Sequence, residues 1–133
     1  MDDDVLEQKA LTVTCSSRAS CVPANHTAGS CTVSLGSGNR PSDGQSVTVT
    51  CESREVYINS YYGSSTTQTL SSGNNWTATF DGFISKCCGS SVDGTHDKTG
   101  TVTCTAKSSS FTATGRANIN IRAHRAGDCE WLF

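Results

Sequence analysis

The residues of this chain that could do chemistry are few and scattered. Its three histidines, His26, His96 and His124, stand far apart in polar surroundings. Acid–base or nucleophilic catalysis needs such a group beside a partner that exchanges a proton with it, so each is read as a solvated loop residue. No G-x-S-x-G elbow singles out one serine as a nucleophile. Cys88 and His96, eight positions apart, are the candidate thiol and imidazole pair. A cysteine nucleophile requires an unpaired thiolate, and a disulfide at Cys88 is the stronger expectation. Asp93-Gly94-Thr95-His96-Asp97 gathers oxygen and imidazole donors but lacks the spacing of a calcium-binding EF-hand loop; it reads as a polar turn. Asp2-Asp3-Asp4 reads as a solvated acidic arm. The chain is therefore expected to be non-catalytic, with no metal and no cofactor.

Cysteine chemistry is the exception. The chain carries eight: Cys15, Cys21, Cys31, Cys51, Cys87, Cys88, Cys104 and Cys129. None forms a C-x-x-C pair, the usual sign of structural zinc. An even number without that spacing points to disulfides and an oxidising compartment. Eight cysteines allow 105 pairings, and the sequence alone does not choose among them. Cys87 and Cys88 are adjacent, so they are expected to bond to different partners.

Binding residues can also be sought. Flat aromatic rings cover the apolar faces of sugars, and Tyr57, Tyr61 and Trp76 are the candidates for such a platform. Tyr57 alternates with Val56 and Ile58 and should be exposed; for Trp76 a place in the core is favoured. Asn25-His-Thr and Asn75-Trp-Thr are glycosylation sequons. The tail Cys129-Glu-Trp131-Leu132-Phe133 is the most apolar short stretch. With Val5 and Leu6 in the acidic arm, Trp131, Leu132 and Phe133 are candidates for contact with another subunit.

The elements that must position these residues are strands. Leu11-Thr-Val13-Thr-Cys15 alternates apolar and polar side chains, as a half-buried strand does. The pattern returns at Cys31–Leu35, Val47–Cys51, Val56–Ile58, Trp76–Phe80, Val102–Ala106 and Ala117–Ile121. Clusters of Gly, Ser, Asn and Asp at 36–44, 63–67, 71–75 and 89–100 read as turns. No convincing amphipathic helix is present. Seven or eight short strands of this kind predict an antiparallel β-sandwich. The sequence divides into an acidic N-terminal arm, residues 1–9, and a single sandwich domain, residues 10–133, with an apolar C-terminal tail. Thr-Val-Thr-Cys occurs three times, ending at Cys15, Cys51 and Cys104. Its unequal spacing excludes a solenoid such as an ice-binding β-helix.

Composition sharpens this. In 133 residues, Leu, Ile, Val and Phe number only 22 against 38 Ser and Thr. So little apolar mass borders on the composition of disordered chains, but the net charge is only −2, and cross-links would support a thin core. A pI near 5.8 argues against an electrostatic nucleic-acid binder. No apolar run reaches the roughly 18 residues of a membrane helix, so no membrane insertion is expected. The start shows neither the charged nor the apolar region of a secretory leader, so no signal peptide is read in this chain.

Two segments resemble a known family. Asp43-Gly-Gln-Ser-Val-Thr-Val-Thr-Cys51 looks like strand B of an immunoglobulin-like domain. Asp97-Lys-Thr-Gly-Thr-Val-Thr-Cys-Thr-Ala-Lys107 looks like the approach to its strand F. The resemblance covers residues 43–107 and implies a Cys51–Cys104 disulfide spanning two sheets. Val102 stands where the family's corner tyrosine would be, and Trp76 comes too late for its buried strand C tryptophan.

The expectation for function is a structural or interaction module of an extracellular or virion-surface assembly, of decoration, fibre, filament or adhesion type. Its partners would be proteins, including copies of itself. The alternative is a secreted carbohydrate- or ligand-binding sandwich, with glycans as partners.

Overall fold

A computed structural model describes residues 7–16, 18–20, 28–58, 65–86 and 96–123. Ten strands occur among them: β1 (Glu7–Ala10), β2 (Thr12–Ser16), β3 (Arg18–Ala19), β4 (Gly29–Ser34), β5 (Val47–Ser53), β6 (Val56–Tyr57), β7 (Ser65–Leu70), β8 (Thr77–Ser85), β9 (His96–Ser108) and β10 (Phe111–Ala123). They form two sheets. The larger runs β1-β10-β9-β5-β7, with β3 also on β10, and the smaller runs β2-β4-β8-β6. Among the described residues no helix is long and apolar enough to cross a membrane.

The alternation read from the sequence becomes the wall of a shared core. Val47, Val49, Val102, Phe111, Ile119 and Ile121 point inward from the larger sheet. Val33, Phe80 and Phe83 meet them from the smaller one, with Leu35 packed just past the end of β4. The intervening Thr and Ser face outward, so few apolar residues suffice for a two-layer sandwich-like fold.

Four of the eight cysteines lie in the described residues, and none of the four is free. Cys51 bonds Cys104, the pair implied by the immunoglobulin-like resemblance. The bond does not span the sheets, as that resemblance implies. It joins neighbouring antiparallel strands β5 and β9 at directly opposed positions, with Cα atoms 4.0 Å apart. Cys15 and Cys31 do the same for β2 and β4, at 3.9 Å. Each sheet thus has its own covalent rung. Cys21, Cys87, Cys88 and Cys129 lie outside the described residues.

The N-terminal segment ties the layers together. Residues Glu7–Ala10, nearly all assigned to the arm on sequence, pair in parallel with Phe111–Thr114 on β10. The chain then crosses to the smaller sheet as β2 and returns to β10 as β3. At the crossing the Leu11 N–H donates to the Thr114 carbonyl at 3.3 Å. A Cβ on Gly115 would lie 1.9 Å from the Leu11 carbonyl oxygen, so only glycine lets the backbones pass. β1 and β3 cover the two ends of β10's outer edge, which an open sheet would leave free to pair with other chains.

Three strand expectations change. Residues 65–67, read as turn, begin β7; no apolar alternation marks Ser65-Thr-Thr-Gln-Thr, and its pairing with β5 makes it a strand. The turn read at 89–100 gives way to β9 from His96 onward. β9 and β10 each run 13 residues, far beyond Val102–Ala106 and Ala117–Ile121, because they pair with each other along their whole length.

Candidate functional site

The inward positions are filled by core, so the outer faces are what the fold displays. On the smaller sheet the register lines up hydroxyls in rows. Thr12, Ser34 and Thr77 form one row, Thr14, Thr32 and Thr79 the next, and Ser16 with Ser30 a third. Thr32 Oγ1 and Thr79 Oγ1 are 3.2 Å apart, and Ser16 Oγ and Ser30 Oγ are 3.3 Å apart. Neighbouring strands lie about 4.8 Å apart and alternate residues about 6.7 Å apart along a strand. The grid carries no charged side chain; exposed Asp81 stands at its corner, where a register shift between Gly29 and Cys31 interrupts the pairing with β8. The Cys15–Cys31 bond lies between the second and third rows, on the inner side of the same strands.

The outer face of the larger sheet is also rich in threonine but is charged. Thr67, Thr50, Thr105 and Thr114 form a row across four strands. Thr50 and Thr67 share a hydroxyl contact of 3.3 Å. Lys107 flanks this row on one side, and Glu52 and Arg116 on the other. A shallow depression of about 310 Å³ lies over Thr48, Thr50, Glu52, Thr103, Thr105 and Lys107. A second, of about 590 Å³, shares Glu52 and Thr103 with it and extends past Arg54, Glu55 and Arg116.

Glu55 shapes the end of that trough. β5 stops pairing with β9 at Ser53–Val102. Beyond it the chain turns toward β6, and buried Glu55 continues the ladder with its side chain. Its Oε1 accepts from the Thr101 N–H at 2.7 Å. The Glu55 carbonyl accepts from the Lys86 N–H on the other side, at 2.9 Å. A charged side chain this deep at a sheet corner is satisfied as part of the fold.

Of the expected aromatic platform of Tyr57, Tyr61 and Trp76, two residues are described, and they do not lie together on an exposed face. Trp76 is only 6% exposed and belongs to the core. It takes a left-handed backbone conformation, φ 56°, beside Asn75, also at 56°. Its N–H donates to the Ser71 carbonyl at 2.8 Å and its carbonyl accepts from Leu35 at 3.0 Å. Tyr57, expected to be exposed, is half-buried, with the Lys86 ammonium 5.2 Å from its ring centroid. Tyr61 lies outside the described residues, as do Val5, Leu6, Trp131, Leu132 and Phe133, and His26, Cys88, Asp93 and His124. Asn75 of the second sequon is exposed on a turn; Asn25 of the first lies outside the described residues.

Of the Asp93–Asp97 turn, only His96 and Asp97 are described. They are neighbours on a strand and so point to opposite faces. Asp97 meets Arg18 across the sheet, Oδ2 to Nη2 at 3.3 Å. Among the described residues no group of three or more potential ligands converges on a metal position.

The hydroxyl grid is the feature that sequence reasoning missed. Its signal was present, since Thr12, Thr14, Thr32, Ser34, Thr77 and Thr79 are the outward phase of three recognised strands. Their register was not legible, and register makes them one surface. Chemically, the grid offers paired donors and acceptors. His96, the one histidine among the described residues, lies in the other sheet. No protein-family model matches this chain, and no curated protein or solved structure shows significant similarity to it.

Proposed function

We propose that this chain is a non-catalytic structural or interaction module of an extracellular or virion-surface assembly, of decoration, fibre, filament or adhesion type. The observation that carries this reading is the covalent rung in each sheet beneath polar outer faces. That construction yields a stiff body whose surfaces keep their shape. Preorganised surfaces bind with less ordering cost than flexible ones. The two disulfides fit an oxidising extracellular environment. Membership of the immunoglobulin-like superfamily is not needed for this role, because any sandwich with stiff sheets and polar faces would serve. With Trp76 in the core and Tyr57 under Lys86, the described aromatic residues give the carbohydrate-binding alternative no exposed platform.

Light scattering on the full chain, across a concentration series, tests this reading. A mass above that of one chain, rising with concentration, is expected. A single monomeric species at every concentration would overturn it, and binding on a glycan array would then favour the carbohydrate-binding alternative. Deleting residues 129–133 separately tests the apolar tail, and unchanged assembly would remove the tail from the contact.

A further inference from the structure

We propose that Cys15 is a site of thiol exchange, where a small-molecule thiol opens the Cys15–Cys31 rung and stays on as a mixed disulfide, while the Cys51–Cys104 rung remains closed. This holds whether or not the chain assembles.

Spacing does not separate the two rungs. Each joins directly opposed residues of antiparallel strands, with Cα atoms 3.9 Å apart in one and 4.0 Å in the other. Access separates them. A thiolate attacks a disulfide sulfur from the side away from the sulfur that leaves, so exchange depends on which sulfur can be reached. The two rungs offer four sulfurs, and the order of strands decides what stands beyond each. Beyond Cys51 is β7, with Thr66 at the opposed position. Beyond Cys104 is β10, with Gly115. Beyond Cys31 is β8, with Phe80. Beyond Cys15 no strand is paired among the described residues, because β2 is an edge of the smaller sheet.

Burial follows the same division. Cys51 and Cys104 are fully buried and Cys31 nearly so, whereas Cys15 is half-buried. The backbone of β10 comes close to the β2 edge at Val13, whose Cγ2 lies 3.1 Å from where a Cβ on Gly115 would stand. Cys15 is two residues past that contact, next to exposed Ser16.

In the exchange, the incoming thiolate bonds to Cys15 Sγ as the Cys15–Cys31 bond breaks. The electron pair of that bond leaves on Cys31 Sγ, which takes a proton from water. One disulfide is lost and one is formed, so no outside oxidant or reductant is consumed. Cys31 is left as a neutral thiol facing the core, where a charge would be costly. The β2–β4 ladder, from Thr12–Ser34 to Ser16–Ser30, keeps Cys15 and Cys31 opposed. When the external thiol is withdrawn, Cys31 is placed to attack the mixed disulfide, expel that thiol and close the rung again.

The test is exchange with reduced glutathione on the full, folded chain. Samples are quenched by alkylation, digested without reduction and mapped by mass. The first adduct on these four cysteines should be glutathione on Cys15, with Cys31 alkylated and Cys51–Cys104 intact. The initial rate at Cys15–Cys31 should exceed that at Cys51–Cys104 by about tenfold or more. Below the unfolding transition the Cys15 rate should stay flat as urea is added, because the native chain already presents the sulfur. Removing glutathione should restore the rung. Equal rates at the two rungs would overturn the proposal, as would glutathione on Cys31 in place of Cys15. A Cys15 rate that climbs with global unfolding, or no adduct before the chain unfolds, would overturn it too.

Discussion

Replacing each disulfide in turn should expose the difference between the two rungs. Both join directly opposed residues on neighbouring antiparallel strands, with Cα atoms 3.9 and 4.0 Å apart. What separates them is the length of chain they close, 16 residues for Cys15–Cys31 and 53 for Cys51–Cys104. Chain-entropy arithmetic gives about 3 kcal/mol for the shorter loop and about 4 kcal/mol for the longer. Cys15→Ala with Cys31→Ala should therefore cost less than Cys51→Ala with Cys104→Ala, by about 1 kcal/mol from loop closure. That is a factor of about five in the folded-to-unfolded ratio. Packing adds to the same ordering, since Cys51 and Cys104 are fully buried and Cys15 is only partly so. Urea unfolding followed by far-UV circular dichroism measures it. The m-value should rise in both variants, because the unfolded chain gains exposed surface when a cross-link is removed. Equal losses, or a larger loss at Cys15–Cys31, would refute the loop-closure reasoning.

Three further outcomes are expected. Gly115→Ala should destabilise severely, by about 3 kcal/mol or more, because backbone must move where β1 crosses to β2; an unchanged melting temperature would contradict the crossing. Glu55→Leu should cost about 1–3 kcal/mol by leaving the Thr101 N–H without its acceptor, and Glu55→Gln, which keeps an acceptor oxygen, should recover part of that loss in the same melts. Trp76→Ala should cost about 3–5 kcal/mol as a core truncation, whereas Tyr57→Ala should cost less; a Trp76 variant of parental stability with altered glycan binding would return Trp76 to the surface.

The period-two pattern was a sound guide where apolar residues supplied it. Val47–Cys51 and Cys31–Leu35 lie where alternation put them, with Val33, Val47, Val49 and Cys51 facing the core. It failed for β7, whose Ser-Thr-Thr-Gln-Thr run has no alternation to read. Such a segment becomes a strand through its partner: β5 supplies the ladder, and Gln68 Nε2 reaches across to the Thr79 carbonyl on β8. The candidate site was less legible than the fold. Tyr57 was expected to be exposed, but Lys86 lies over its ring, and no local rule brings together residues so far apart in sequence.

Cysteines without zinc spacing, scarce apolar residues in alternate positions and hydroxyls between them were enough to indicate a thin, cross-linked β-sandwich. Those properties are local, because each side chain's preference for core or water is its own. Tertiary structure decided how strands neighbour one another. It placed Cys51 and Cys104 within one sheet, where the family resemblance implied a bond between sheets. It also aligned Thr14, Thr32 and Thr79 into one row of an uncharged face. Pairing and register depend on which distant segments share a ladder, and a shift of one residue turns every side chain to the opposite face.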